Sequence, residues 1–216
     1  MITDNYRLQF ITHCNERYSY LDSVRIALEG GCRWIQLRMK EADEVSLETT
    51  ARLAKELCKQ YCATFIIDDS VSMVQKISAD GVHLGKSDMP VAEARKLLGN
   101  QSIIGGTVNT FDDVLSLYRA SVIDYLGCGP YRFTSTKKNL SPILGLEGYR
   151  DIVAKMRNAD ICIPIVAIGG ICKEDLSLIF KTGVDGVALS SSVLNAADPI
   201  SEMREIVQIV DDFFSR

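Results

Sequence analysis

The chain has 216 residues, 47% of them hydrophobic, and a formal net charge of −4 from 24 basic and 28 acidic side chains. This length suits one barrel-sized domain, and the weak negative charge excludes a general basic surface for nucleic acid or an anionic membrane. The sequence contains no apolar run near the roughly 18 residues of a membrane span and no signal-peptide pattern, so we expect a cytoplasmic protein.

One pattern recurs along the chain, in which a short apolar run leads through a polar or glycine-containing loop into an amphipathic stretch with helical spacing. Eight apolar runs are predicted strands, at 8–13, 33–39, 64–67, 80–84, 102–106, 123–128, 163–168 and 185–189. The predicted helices are 18–29, 47–61, 71–77, 89–98, a helix beginning at 110, 145–157, 173–181 and 200–214. Thr110 and Asp113 have the spacing of a capping box at the start of the fifth helix.

Eight strands, each followed by a helix, predict an α/β fold, a (β/α)₈ TIM barrel formed by residues 1–216 as one domain. The strands are continuous apolar runs, as expected for strands covered on both faces. An open doubly wound sheet is the alternative, and it fits the strand count less well. The seven cysteines include no Cys-x-x-Cys pair, so we interpret them as reduced core residues.

In a barrel of this kind the active site lies where the strands lead into the helices. The polar and glycine residues at these positions are Gln36, Arg38, Lys40, Asp68, Asp69, Lys86, Ser87, Asp88, Thr107, Asn109, Thr134, Ser135, Thr136, Lys137, Gly169, Gly170, Ser190 and Ser191. Cations beside carboxylates favour a divalent metal that bridges to a pyrophosphate, because Mg²⁺ takes one or two carboxylates plus phosphate oxygens. Glycines and hydroxyl groups favour a separate phosphate monoester.

Each feature also has a simpler interpretation. The row Gln36, Arg38 and Lys40 is compatible with a solvated edge, and the three aspartates are compatible with helix caps. His83 lies inside an apolar strand and is better explained as a hydrogen-bonded structural histidine, whereas His13 has no assigned role. The coincidence of all these features at one barrel face favours a functional site.

The segment Gly81–Ser87 is not a phosphate-binding P-loop. That motif needs four residues between its glycines, and here only three separate Gly81 from Gly85.

The chain resembles the thiamine-phosphate synthase family along nearly its whole length. The matching motifs are Gln36-Leu37-Arg38-Met39-Lys40, Asp69, Gly81-Val82-His83-Leu84-Gly85, Asp88-Met89-Pro90, Gly129-Pro130, Thr134-Ser135-Thr136-Lys137, Ala167-Ile168-Gly169-Gly170-Ile171 and Leu189-Ser190. The resemblance implies a Mg²⁺-dependent transferase that joins a hydroxymethylpyrimidine diphosphate to a thiazole phosphate and releases pyrophosphate. It also implies small-molecule substrates rather than nucleic acid or membrane, and it leaves homo-oligomerisation open.

By this resemblance, Asp69 and Asp88 hold Mg²⁺, and Arg38, Lys40 and Lys137 are the catalytic cations. The pyrimidine diphosphate is bound by Gln36, Leu37, Arg38, Met39, Lys40, Asp68, Thr107 and Lys137. The thiazole phosphate is bound by Thr134, Ser135, Thr136, Gly170, Leu189 and Ser190. Three residues depart from the family pattern, since Asp68 stands for the usual Asn, Thr107 for Ser, and Asn109 for a frequent His.

Three other functions compete with this one. A thiazole tautomerase on the same barrel needs a proton-transfer group, which Asn109 does not supply. A non-catalytic sensor of thiazole or thiamine phosphate needs only the phosphate half of the site. A Schiff-base aldolase that uses Lys137 is disfavoured because this lysine lies among predicted anion ligands.

Overall fold

The computed structural model describes residues 7–120, 122–133 and 142–215. Eight parallel strands form a closed barrel in which each strand pairs with its neighbours in sequence and β1 also pairs with β8. The strands are β1 (Leu8–Ile11), β2 (Trp34–Leu37), β3 (Thr64–Asp68), β4 (Gly81–Leu84), β5 (Ile103–Val108), β6 (Tyr125–Cys128), β7 (Ile165–Ile168) and β8 (Gly186–Leu189). The predicted (β/α)₈ barrel is therefore confirmed.

Helices connect the strands around the outside of the barrel. They are α1 (Tyr20–Glu29), α2 (Glu44–Gln60), α3 (Val71–Ile77), α4 (Val91–Leu98), α5 (Phe111–Ala120), α6 (Gly145–Asn158), α7 (Leu176–Phe180), α8 (Ser191–Leu194) and α9 (Pro199–Phe214). None of the described helices is both long and apolar enough to cross a membrane.

Side chains alternate between the inside and the outside of the barrel along each strand. The inner cluster is small and consists of Ile11, Trp34, Ile66, Tyr125, Val166 and Ala188. The larger cluster fills the layer between the strands and the helices, and it includes Ile35 and Leu37 from β2. On β2 this alternation turns Gln36 inward, which places a polar side chain inside the barrel.

Three even-numbered strands begin after an aspartate that accepts a backbone hydrogen bond from the preceding odd-numbered strand. The pairs are Asp80 with Phe65 N–H (2.7 Å), Asp124 with Ile104 N–H (2.7 Å) and Asp185 with Ile165 N–H (2.9 Å). These carboxylates satisfy donors at the amino-terminal rim of the barrel, where the strand ladder no longer does so.

Replacing Asp185 with alanine is expected to lower the free energy of unfolding by about 1–3 kcal/mol, because the Ile165 N–H loses its partner. Urea denaturation measures this loss. Asp211→Ala is the matched control, since the Asp211 side chain is exposed on α9 and accepts no hydrogen bond from the described residues. Equal unfolding free energies for the two variants would contradict the proposed contribution of these aspartates.

The predicted elements match the observed ones with local differences. The capping box is confirmed, since Asp113 N–H donates to Thr110 Oγ1 (3.2 Å) and Thr110 N–H donates to Asp113 Oδ2 (2.9 Å). The predicted helix 173–181 begins as a 3₁₀ turn at Lys173–Asp175 before α7, and the short helix α8 was not predicted.

All seven cysteines are free. Cys32, Cys58 and Cys128 are buried, Cys14 and Cys172 are half-buried, and Cys62 and Cys162 are exposed, so the prediction that the cysteines are core residues is confirmed for the first three and was wrong for the exposed pair. Cys62 follows α2 and Cys162 lies in the loop before β7, where the chain turns at the surface.

Candidate active site

The carboxyl ends of the strands open into a cavity of about 410 Å³. One side of this cavity is lined by Arg38, His83 and Thr107, and the opposite side by glycines and serines that follow β7 and β8. The topology of a parallel barrel brings these ends to one face, which is why residues far apart in sequence meet there.

A buried carboxylate organises the cationic side of the site. Asp68 ends β3, its side chain is 8% exposed, and its Oδ1 accepts a hydrogen bond from Gln36 Nε2 at 2.6 Å. Its Oδ2 lies 3.4 Å from Arg38 Nε and 3.6 Å from Lys40 Nζ. Gln36, Arg38 and Lys40, at alternate positions on and after β2, therefore converge on a single aspartate, which holds both cations at the mouth of the barrel.

The charges of this cluster influence one another. Burial raises the pKa of Asp68, against the opposing effect of Lys40 and Arg38. Burial alone would lower the pKa of Lys40, but its hydrogen bond to Asp69 and the charges of Asp68 and Asp88 outweigh it, so the pKa is raised. Lys40 consequently remains a cation in the presence of neighbouring carboxylates.

Asp69 and Asp88 form a carboxyl pair beside Lys40. Asp69 adopts a left-handed backbone (φ 65°), and its N–H donates to the His83 carbonyl at 2.8 Å. Asp88 Oδ2 accepts the Gly85 N–H at 2.6 Å. Burial, the Asp68 charge and a hydrogen bond with Asp88 raise the pKa of Asp69 to about 7.

This pair is suited to a divalent cation held together with a ligand. Within the described ranges, no group of three or more His, Cys, Asp and Glu side chains is placed to hold a metal. Two adjacent carboxylates are nevertheless a fitting set for Mg²⁺, which completes its shell with water and phosphate oxygens.

The opposite side of the cavity combines open backbone with unsatisfied hydroxyl groups. Gly169 and Gly170 have positive φ angles of 99° and 69°, and a side chain at Gly170 would collide with Arg132. In the described part of the chain, the Oγ atoms of Ser190 and Ser192 are buried and have no hydrogen-bond partner. A buried hydroxyl without a partner costs about 1–3 kcal/mol of folding stability, so these two groups are suited to binding a polar ligand.

Two residues at the carboxyl end of the barrel have structural partners. His83 lies between Tyr125 Oη (2.8 Å from Nδ1) and Thr107 Oγ1 (3.0 Å from Nε2), as expected for a hydrogen-bonded histidine. Asn109 Nδ2 donates to the Gly129 carbonyl and thereby connects β5 to the loop after β6. His13 stands beyond β1, where burial and the charge of Arg38 lower its pKa.

The remaining residues predicted for the site are less directly placed. Leu37 is buried against the helices, Met39 packs at the edge of the same layer, and Leu189 belongs to that layer while also lining the cavity. Thr134, Ser135, Thr136 and Lys137 lie outside the described residues. Sequence reasoning missed Ser192 and Tyr125, because it considered only the first residues after each strand.

Comparison with known proteins gives a consistent result. The family model described as thiamine monophosphate synthase matches residues 8–193. A thiamine-phosphate synthase of Phocaeicola vulgatus is 60% identical over 202 residues, which cover 94% of this chain and 97% of the relative. One from Flavobacterium psychrophilum is 46% identical over 200 residues, covering 93% and 97% of the two chains. The solved thiamine phosphate pyrophosphorylase of Pyrococcus furiosus matches with a TM-score of 0.84 at 36% identity, covering 97% of each chain.

Proposed function

The chain belongs to the thiamine monophosphate synthase family, and we propose that it joins a hydroxymethylpyrimidine diphosphate to a thiazole phosphate with Mg²⁺. The products are thiamine phosphate and pyrophosphate. The observation that carries this proposal is that one cavity connects a cationic side at Arg38 with an uncharged side at Gly170 and Ser190. Two anions of different charge then have separate places within reach of each other.

The leaving pyrophosphate determines the chemistry. The bond between the pyrimidine CH₂ carbon and the diphosphate oxygen breaks, and its electron pair leaves with pyrophosphate. Arg38, Lys40 and Lys137 stabilise the charge that develops on this group. Asp69 and Asp88 hold Mg²⁺, which supplies further charge neutralisation at the diphosphate when bound.

The nucleophile needs no activation by the protein. The thiazole nitrogen already carries a lone pair, which forms the new C–N bond, and the amino group of the pyrimidine supports a cation-like carbon along a dissociative path. Catalysis then depends on placing the two substrates and on preorganised charge. The described carboxylates of the site have pairing roles and His83 has a partner on each ring nitrogen, which fits this requirement.

Asp68 serves in this scheme as an internal counter-ion rather than as a phosphate ligand. Its carboxylate lies within 3.4 Å and 3.6 Å of the two cations that the diphosphate requires. Asp68→Asn keeps the shape and an acceptor for Gln36 but removes the competing charge. We expect the variant to remain active and to lower the KM for the pyrimidine diphosphate by roughly two- to fivefold, the equivalent of one weak ion pair. Steady-state kinetics with thiazole phosphate saturating measures this, and loss of activity would contradict the counter-ion role.

One assay tests the proposed function as a whole. Both substrates are mixed with the protein and Mg²⁺, and pyrophosphate release and thiamine phosphate formation are followed together. Equal amounts of the two products support the synthase. Isomerisation of the thiazole without pyrophosphate release would indicate a tautomerase, and binding of either phosphate without turnover would indicate a sensor.

We further expect the protein to act in the cytoplasm, as one barrel domain.

A further inference from the structure

A hydrogen-bonded network of four polar side chains runs through the interior of the barrel to the cavity. Gln9 Nε2 donates to Tyr125 Oη at 3.2 Å, and Tyr125 Oη lies 2.8 Å from His83 Nδ1. His83 Nε2 lies 3.0 Å from Thr107 Oγ1, and both His83 and Thr107 line the cavity. Gln9 and Tyr125 are 2% and 3% exposed, so the end of the network that lies away from the cavity is sealed from solvent.

Glycines in the barrel strands leave room for the rings of this network. A Cβ at Gly105 would come within 2.2 Å of the Tyr125 ring, and one at Gly127 within 2.7 Å of the His83 ring. Trp34 contacts the Tyr125 ring edge-on, with the ring centroids 4.8 Å apart. These contacts fix both rings, and burial raises the pKa of the Tyr125 phenol, which therefore keeps its single proton.

The available donors and acceptors give these three hydrogen bonds one consistent direction. The amide nitrogen of Gln9 donates to the Tyr125 oxygen, and among the described residues His83 Nδ1 is the acceptor in reach of the Tyr125 hydrogen. His83 Nδ1 then accepts, which places the imidazole hydrogen on Nε2. Nε2–H donates to Thr107 Oγ1, and the hydroxyl hydrogen of Thr107 is left to point elsewhere.

We propose that Tyr125 and His83 are positioning residues that turn the hydroxyl hydrogen of Thr107 into the cavity, toward an oxygen of the diphosphate. This inference rests on the proposed function, in which Thr107 belongs to the diphosphate side. An anion needs donors, and a hydroxyl group presents either a hydrogen or lone pairs. If the hydrogen bonds ran in the opposite direction, Thr107 would donate inward to His83 and present only lone pairs to the diphosphate. Those lone pairs would repel the diphosphate.

The first test observes the tautomer directly in the unaltered protein. The chain has two histidines, so ¹⁵N-histidine labelling gives two imidazole spin systems, and His13→Gln assigns the remaining one to His83. We expect hydrogen on Nε2 and none on Nδ1. A spectrum with hydrogen on Nδ1, alone or together with Nε2, would overturn the proposal even if the enzyme makes thiamine phosphate.

The second test asks whether Tyr125 acts through Thr107. Thr107→Val removes the hydroxyl group at nearly constant shape and is expected to lower kcat/KM for the pyrimidine diphosphate about 10²-fold. Tyr125→Phe, which only loosens the orientation, is expected to lower it about tenfold. The KM for thiazole phosphate should not change in either variant, because its site lies across the cavity.

The double variant separates positioning from general stability. If Tyr125 works by orienting Thr107, then Tyr125→Phe adds no further loss once Thr107 is valine. Thr107→Ser, which restores a hydroxyl group, should recover most of the activity. Multiplicative losses in the double variant would overturn the proposal, and thermal melting checks that each variant is folded. Failure of the unaltered protein to release pyrophosphate would instead remove the proposed function itself.

Discussion

Replacing Lys137 with alanine is expected to lower turnover by about 10²–10³-fold, the scale of losing one preorganised contact to a developing charge. The cavity already holds Arg38 at its wall, but Arg38 and Lys40 share their charge with Asp68. Lys137 adds a third positive charge to the proposed catalytic set. Turnover is measured with both substrates saturating, so that a weaker affinity does not enter the comparison.

The neighbouring lysine supplies the control for this prediction. Lys138→Ala removes the same charge one residue further along the chain, and we expect it to stay close to the unaltered enzyme. Similar losses in the two variants would mean that the loop contributes a diffuse positive field rather than one placed ammonium group. Near-normal turnover of Lys137→Ala would remove this residue from the catalytic set.

The fold followed from the sequence because its strongest signals are local. Apolar runs bounded by glycine and polar residues gave all eight strands, and the capping box at Thr110 gave the start of a helix. One error arises at a local cap that helical periodicity does not reveal. Asp175 accepts the Cys172 N–H at 2.8 Å, and this bond accompanies a 3₁₀ turn where helical periodicity predicted a regular helix.

The rim of the site also followed from the sequence, because a parallel barrel brings all strand ends to one face. The function of Asp68 did not, since its contacts with Gln36 and Arg38 depend on the pairing between β2 and β3. Tyr125 was missed for a different reason. It begins β6, at the end of the strand opposite to the site, and the space left by Gly105 allows its hydroxyl group to reach His83.

Asp69→Asn is expected to lower the Mg²⁺-dependent rate by about 10²–10³-fold and to raise the Mg²⁺ concentration needed for half-maximal rate. Asparagine is the informative replacement, because Asp69 has φ 65° and asparagine tolerates this left-handed backbone better than alanine. The variant keeps the N–H contact with the His83 carbonyl and loses only the charge. A metal ligand would therefore be removed without disturbing the turn that places it.

The adjacent aspartate makes this experiment decisive. Asp68→Asn and Asp69→Asn differ by one position and remove the same charge. Lys40 lies near both side chains, but Asp68 also contacts Gln36 and Arg38, whereas Asp69 contacts Asp88. If Asp69 holds the metal, only Asp69→Asn weakens the binding of Mg²⁺ with pyrophosphate, measured by calorimetry in the absence of turnover. Equal effects of the two substitutions, or full activity of the unaltered enzyme in excess chelator, would show that net charge at the rim matters and that Asp69 is not a metal ligand.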